Sequence, residues 1–139
     1  MKLFYLIGAF FLLVSCDPSV TYTKVIENNS DHDIWLINRD STLSCVELRD
    51  SVLLSSHSIF ELHIESDIGG SLRSYESCPL SVSEWICPID TIDTRIDGID
   101  SLNVAFTIEE NSNWQYSITK PGQNGKCECR LVINQGDIN

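Results

Sequence analysis

The chain has 139 residues, 42% apolar and 21% charged, with seven glycines and four prolines. At roughly 100–200 residues per domain, that length allows one domain, and the composition fits neither a disordered tail nor a fibrous protein. Twenty acids against nine basic residues give a formal charge of -11, which excludes nucleic acid as a partner and gives the domain as a whole no attraction to an anionic membrane surface.

Met1-Lys2 supplies one positive charge, and residues 3–14 form a run of twelve without charge. Twelve helical residues span about 18 Å, short of the roughly 30 Å of a bilayer core. The run is therefore the hydrophobic region of a signal peptide rather than a membrane span. It ends in Leu13-Val14-Ser15-Cys16, which resembles the lipobox of bacterial lipoproteins: an aliphatic residue, two smaller ones, then cysteine. In that family a signal peptidase cuts before the cysteine, whose sulfur carries a diacylglyceryl group and whose new amine is acylated. The resemblance implies a signal peptide over residues 1–15, lipidation at Cys16, and a lipidated cysteine with a short tether over 16–20. It also implies a bacterial cell envelope location, anchored in the lipid bilayer by acyl chains such as palmitate on Cys16. Asp17 resembles the retention signal that keeps some lipoproteins in an inner membrane, but that rule differs between bacterial groups, and the outer membrane is favoured.

Removing residues 1–15 leaves 124 residues, and loss of Lys2 takes the net charge to -12. A chain of that size buries about two-thirds of its unfolded surface, enough for one core, here a single domain over 21–139. Four extended residues of tether reach about 13 Å, which holds the domain close to the bilayer.

Thr21, Tyr22, Thr23, Lys24, Val25 and Ile26 are rich in β-branched and aromatic residues and end at the turn cluster Asn28-Asn29-Ser30. Residues 33–37 form a second short strand; 43–48 and 51–54 are further candidates. Over 58–65, apolar Phe60, Leu62 and Ile64 alternate with charged neighbours, as in a half-buried antiparallel strand. Leu102, Val104, Phe106 and Ile108 alternate likewise over 101–108. Residues 113–119 and 128–133 flank Lys120-Pro121-Gly122-Gln123-Asn124-Gly125, a hairpin connection. This spacing, without long helices, points to an all-β domain: an antiparallel β-sandwich or small barrel of about 7–8 short strands.

One stretch departs from period two. Ile89, Ile92, Ile96 and Ile99 recur at spacings of 3, 4 and 3, with Pro88 suited to a first helical position and Gly98 to a terminus. This predicts one short helical turn near residues 88–98. Asp90, Asp93, Asp97 and Asp100 follow those isoleucines, but an EF-hand register through Gly98 places Arg95 and Val104 where oxygen ligands are needed. A solvated acidic face is the better reading.

His57, Glu61 and His63 share one face of a regular strand, but no third ligand of fixed spacing accompanies Glu61 and His63. His32 lies in a turn between Asp31 and Asp33 and reads as surface. No metal and no cofactor is expected. No serine sits on a hydrolase elbow and no glycine-rich phosphate loop exists, so no catalytic residue is assigned and the chain reads as no enzyme. Trp35, Trp85 and Trp114 could make a sugar-stacking platform, although tryptophans in short strands are more often core.

Four triplets begin Asp-(Ser/Thr), at Ser41, Ser51, Thr91 and Ser101, each followed by Thr or an aliphatic residue. They resemble the O-glycosylation acceptor motif of periplasmic and surface proteins in one large bacterial phylum; Asp-Ser is also common where turns lead into strands.

Besides Cys16 there are five cysteines: Cys45, Cys78, Cys87, Cys127 and Cys129. In an envelope protein, disulfides are the default over zinc, and an odd count leaves one thiol over. Cys127 and Cys129 point to the same strand face about 6.8 Å apart, too far for an easy mutual bond. Cys78 and Cys87 each precede a proline, which favours extended backbone. The expectation is a Cys78–Cys87 bond closing a local loop, worth roughly 2–3 kcal/mol, with Cys45 bonded to Cys127 or Cys129.

The mature chain resembles the small all-β bacterial lipoproteins of unassigned function. In these an early strand ends in an Asn-rich turn (26–30 here), a Ser- or Gly-led strand follows mid-chain (58–64), and an Asp-Ser-led strand precedes a terminal hairpin (100–116). That resemblance assigns no activity. The leading function is a membrane-tethered binding or structural module with an envelope protein or glycan as partner. The alternatives are a glycan-binding accessory lipoprotein and a small inhibitor using the Cys78–Cys87 loop.

Overall fold

A computed structural model describes residues 18–39, 48, 50–78, 92–108 and 110–139. Among them run seven strands: β1 (Ser19–Asn29), β2 (Ile34–Asn38), β3 (Ser51–Leu54), β4 (Ser58–Ile68), β5 (Ile92–Ile96), β6 (Trp114–Lys120) and β7 (Gly125–Asn134). They form a four-stranded sheet in the order β4-β1-β7-β6 and a three-stranded sheet in the order β3-β2-β5. The helical segments described are short 3-10 turns, at Leu72–Tyr75, Asn111–Asn113 and Gln135–Asp137. The fold is all-β and sandwich-like, with the two inner faces sharing one core.

Side-chain alternation on β1 explains its central place. Val20, Tyr22, Lys24, Ile26 and Asn28 point inward and are all buried, while Ser19, Thr21, Thr23 and Glu27 on the other face are only half-buried. Val25 is the exception, buried on the outer face, where the register sets it between Glu61 and Arg130. Their long side chains flank it, and Arg130 is held across by Glu27 and Glu128. On the opposing sheet, Ile34 and Leu36 of β2 are fully buried and meet Ile26, Leu131 and Ile133 in the core.

The β1–β7 pair is parallel, Val20 opposite Gly125 through Asn29 opposite Asn134, so the sandwich is not purely antiparallel. First and last strands lie side by side at the centre of the sheet, and the rest of the domain serves as the crossover that a parallel pair requires.

Three expectations are corrected here. The turn of helix near 88–98 is, over its described part, strand β5. Ile92 and Ile96 are four apart, a spacing that suits a helix face and a strand face equally, and both are buried against β2. The β-branched run Ile-Asp-Thr-Arg-Ile settles it toward the pleated surface. The 101–108 alternation does produce alternating burial, but its only ladder contact among the described residues is one bridge, Val104 to Ile138. The 3-10 turn Gln135–Asp137 bends the partner segment away before a ladder can extend. Of the 43–48 candidate, only Leu48 is described; it is buried, and its carbonyl accepts a hydrogen bond from Asn38 Nδ2.

The third correction is the disulfide. Cys78 bonds Cys129, Cα to Cα 5.6 Å, and not Cys87. Cys127 is a free, buried thiol, so neither member of the terminal pair takes Cys45. The proline after Cys78 does not impose extended backbone there: Cys78 has φ 48°, and its N–H closes the preceding turn onto the Tyr75 carbonyl. That reversal turns its sulfur inward to β7. Cys45 and Cys87 lie outside the described residues.

Candidate functional site

The inner face of the four-stranded sheet is divided along β1. Toward the end of β1 it is apolar and covered by the smaller sheet. Toward its start, the register sets Tyr22 between Glu65 and Cys127, and Lys24 between His63 and Cys129. This polar strip is covered by the 3-10 turn Leu72–Tyr75 and held down at three points. Tyr75 stacks on Tyr22 with centroids 4.5 Å apart, Tyr116 donates its hydroxyl proton to the Leu72 carbonyl at 2.8 Å, and the disulfide ties Cys78 to β7.

Burial dominates the electrostatics of the strip. Lys24 is 1% exposed, and desolvation lowers its pKa to about 7. Its ammonium sits over the Trp114 ring, 4.8 Å from the centroid. Tyr75 and Tyr116 are pushed up to about 12, first by burial and then by nearby acids and the Cys127 thiol. Burial also raises Cys127, opposed by its hydrogen bond with Tyr116. Tyr22 Oη and Glu65 Oε2 are buried with no protein hydrogen-bond partner among the described residues. A lysine with so lowered a pKa could act as a base or nucleophile, but Lys24 faces the core and is almost wholly covered.

One cavity of about 150 Å³ lies at the edge of the smaller sheet, lined in part by Arg39, Asp93, Asn103 and Phe106. That is below the roughly 300–1,000 Å³ of small-molecule sites, and Arg39 is already paired with Asp93 at 3.3 Å.

The start of β1 forms a second distinctive region. The Pro18 carbonyl accepts the Gly69 N–H at 2.7 Å, and Ser19 donates both its N–H and its hydroxyl to Asn124 Oδ1 at 3.2 and 3.1 Å. Gly69 and Gly122 hold positive φ, 77° and 89°, in the two connections that meet there. On the outer face at this end, Ile68 is 74% exposed, the highest value among the exposed large hydrophobics described. Lys126 sits in register between Thr21 and Lys120.

The shared face expected for His57, Glu61 and His63 does not form. A register shift puts Lys24 opposite His63 but Val25 opposite Glu61, with Leu62 as the extra residue. His63 therefore lies on the inner face and Glu61 on the outer, contrary to a regular strand. His57 lies in the turn at φ 54°, 3.1 Å from Asp31 Oδ1. No group of three metal-ligating residues occurs among the described residues.

The tryptophans do not make one platform. Trp114 is buried and donates to the Ile108 carbonyl at 2.9 Å; half-buried Trp35 on the other sheet donates to Asp97 at 2.7 Å. Trp85, Cys16, Ser41 and Thr91 lie outside the described residues. Ser51 opens β3 and Ser101 lies in a turn, both exposed. Sequence reasoning missed the burial of Lys24, whose signal is its even register among Val20, Tyr22 and Ile26.

Comparison of the chain with protein-family models, with curated proteins and with solved structures finds no match.

Proposed function

We propose that the chain is a lipid-anchored lipoprotein of the bacterial cell envelope, cleaved before Cys16 and acylated there, whose domain is a binding or structural module rather than a catalyst. The observation that carries this reading is Leu13-Val14-Ser15-Cys16 at the end of an uncharged run of twelve residues. No helix of the described residues is long and apolar enough to cross a membrane. The Cys78–Cys129 disulfide suits an oxidising compartment. β1 begins at Ser19, three residues after Cys16, which suits a short tether. Lys24 and the free thiol Cys127 are each 1% exposed and belong to the packing. Three acyl chains, at about 0.8 kcal/mol per buried methylene, make such an anchor effectively permanent.

Labelled palmitate fed to expressing cells tests it. The wild-type chain should incorporate label and lose residues 1–15, and Cys16→Ser should remain at precursor size without label. Label retained in Cys16→Ser would overturn the reading.

A further inference from the structure

We infer that the domain has a built membrane-facing end: Ile68, Lys120 and Lys126, on the outer face at the start of β1, contact the phospholipid surface to which Cys16 anchors the chain. This rests on the lipid-anchor reading above and goes further, because it fixes which surface of the domain meets the bilayer. Three observations converge on that end.

The first is the point of entry. Pro18 is hydrogen-bonded to Gly69, and Ser19 to Asn124. The chain therefore enters the fold pinned between the end of β4 and the β6–β7 hairpin. Cys16 is two residues before Pro18, at most about 7–8 Å away at 3.8 Å per Cα step. An acylated Cys16 cannot lie far from these two connections.

The second is apolar exposure. Ile68 pairs with Ser19 and is 74% exposed, whereas Ile64 and Ile59, farther along β4, are 50% and 55% exposed. At about 3.3 Å per residue, Ile64 stands roughly 13 Å and Ile59 roughly 30 Å from Ile68 along the strand. Of the three exposed isoleucines of β4, Ile68 is the one at the point of entry.

The third is charge. Lys120 and Lys126 are paired directly in register and both exposed. Like charges opposite each other on antiparallel strands repel, and among the described residues neither makes an ion pair. In a chain with twenty acids and nine basic residues, two exposed lysines set side by side make a local positive spot that suits an anion. A lipid phosphate supplies that anion. The domain's net charge does not draw it to the bilayer; the acyl chains do that, and the lysines act within about 10 Å, the range over which salt leaves such attraction intact.

Brominated lipid tests the orientation in the full, acylated chain. The protein is reconstituted into vesicles of phosphatidylcholine and phosphatidylglycerol with brominated acyl chains, as Ile68→Trp, Ile64→Trp and Ile59→Trp, and wild-type emission is subtracted. Quenching of the added tryptophan should fall in the order 68, 64, 59, with Ile68→Trp quenched at least about threefold more than Ile59→Trp. Adding Lys120→Glu and Lys126→Glu should reduce that ratio toward one. Equal quenching at all three positions, with the acyl mass present on the N-terminal peptide, overturns the membrane-facing end while leaving the anchor reading intact. Absence of the acyl mass overturns the anchor reading, and this inference with it. Blue-shifted but unquenched Ile68→Trp emission in a protein that runs as a dimer would assign the surface to a second copy of the chain and overturn the inference.

Discussion

Removing the Cys78–Cys129 bond perturbs the fold at the strip where the 3-10 turn is held to the large sheet. The two cysteines are 51 residues apart in sequence. Chain-entropy arithmetic for a loop of that length gives about 4 kcal/mol at 25 °C, against roughly 2–3 kcal/mol for a ten-residue loop. The double variant Cys78→Ala/Cys129→Ala should lose about that much, with a further small loss for two buried sulfurs, since both cysteines are at most 2% exposed. Urea unfolding followed by tryptophan fluorescence is the assay. At a slope of about 1–3 kcal/mol per molar urea, the midpoint should fall by roughly 1.5–4 M, with the slope rising as the released loop leaves the unfolded chain more open. Trp114 reports on the event directly, because Lys24 and the strip pack beside it. Two results would refute the reasoning: a loss under about 1 kcal/mol, or a non-reducing peptide map joining Cys78 to Cys87. Cys127→Ala provides the contrast, because its thiol is in no disulfide; it should leave the Cys78–Cys129 peptide in the map.

Lys24 makes stability depend on pH. Its folded value of about 7 lies below the ordinary 10.5, so between those values the unfolded chain binds more protons and stability rises with pH. Relative to Lys24→Met, the wild type should gain about 2 kcal/mol between about pH 7 and about pH 9, and denaturant melts of both proteins at the two pH values measure it. Parallel pH profiles would show that the buried ammonium is not destabilised. Asn28 is fully buried, with Nδ2 directed at the carbonyls of His32, Leu54 and Ser55 and Oδ1 accepting from Ser30. Asn28→Ala should cost about 2–4 kcal/mol, and the isosteric Asn28→Asp more, because a carboxylate would face three carbonyl oxygens; an Asp variant as stable as wild type in thermal melts would contradict this account.

Local patterns made much of the sheet structure legible. The pattern over 51–54 matches strand Ser51–Leu54 end for end, and those for β1, β2, β4, β6 and β7 coincide with their strands to within a few residues at the ends. The reason is that half-buried strands write their burial into every second residue, as Phe60 and Leu62 against Glu61 do. The lipobox at Cys16 is likewise a purely local signal, carried by adjacent residues and the run before them.

Tertiary structure decided whatever depends on partners distant in sequence. Ile92 and Ile96 fit a helix or a strand until β2 supplies a ladder for them. The partner of Cys78 is chosen by the turn at φ 48° and by the position of β7, not by the nearest cysteine. The extra residue Leu62 separates Glu61 from His63 across the sheet, and no local spacing announces it. Lys24, a surface residue by type, is buried because its alternation with Tyr22 and Ile26 outweighs its charge once β7 and Trp114 close over it. Local alternation records which face a residue takes; only the packed sheets determine what that face meets, because pairing and desolvation are properties of neighbours far along the chain.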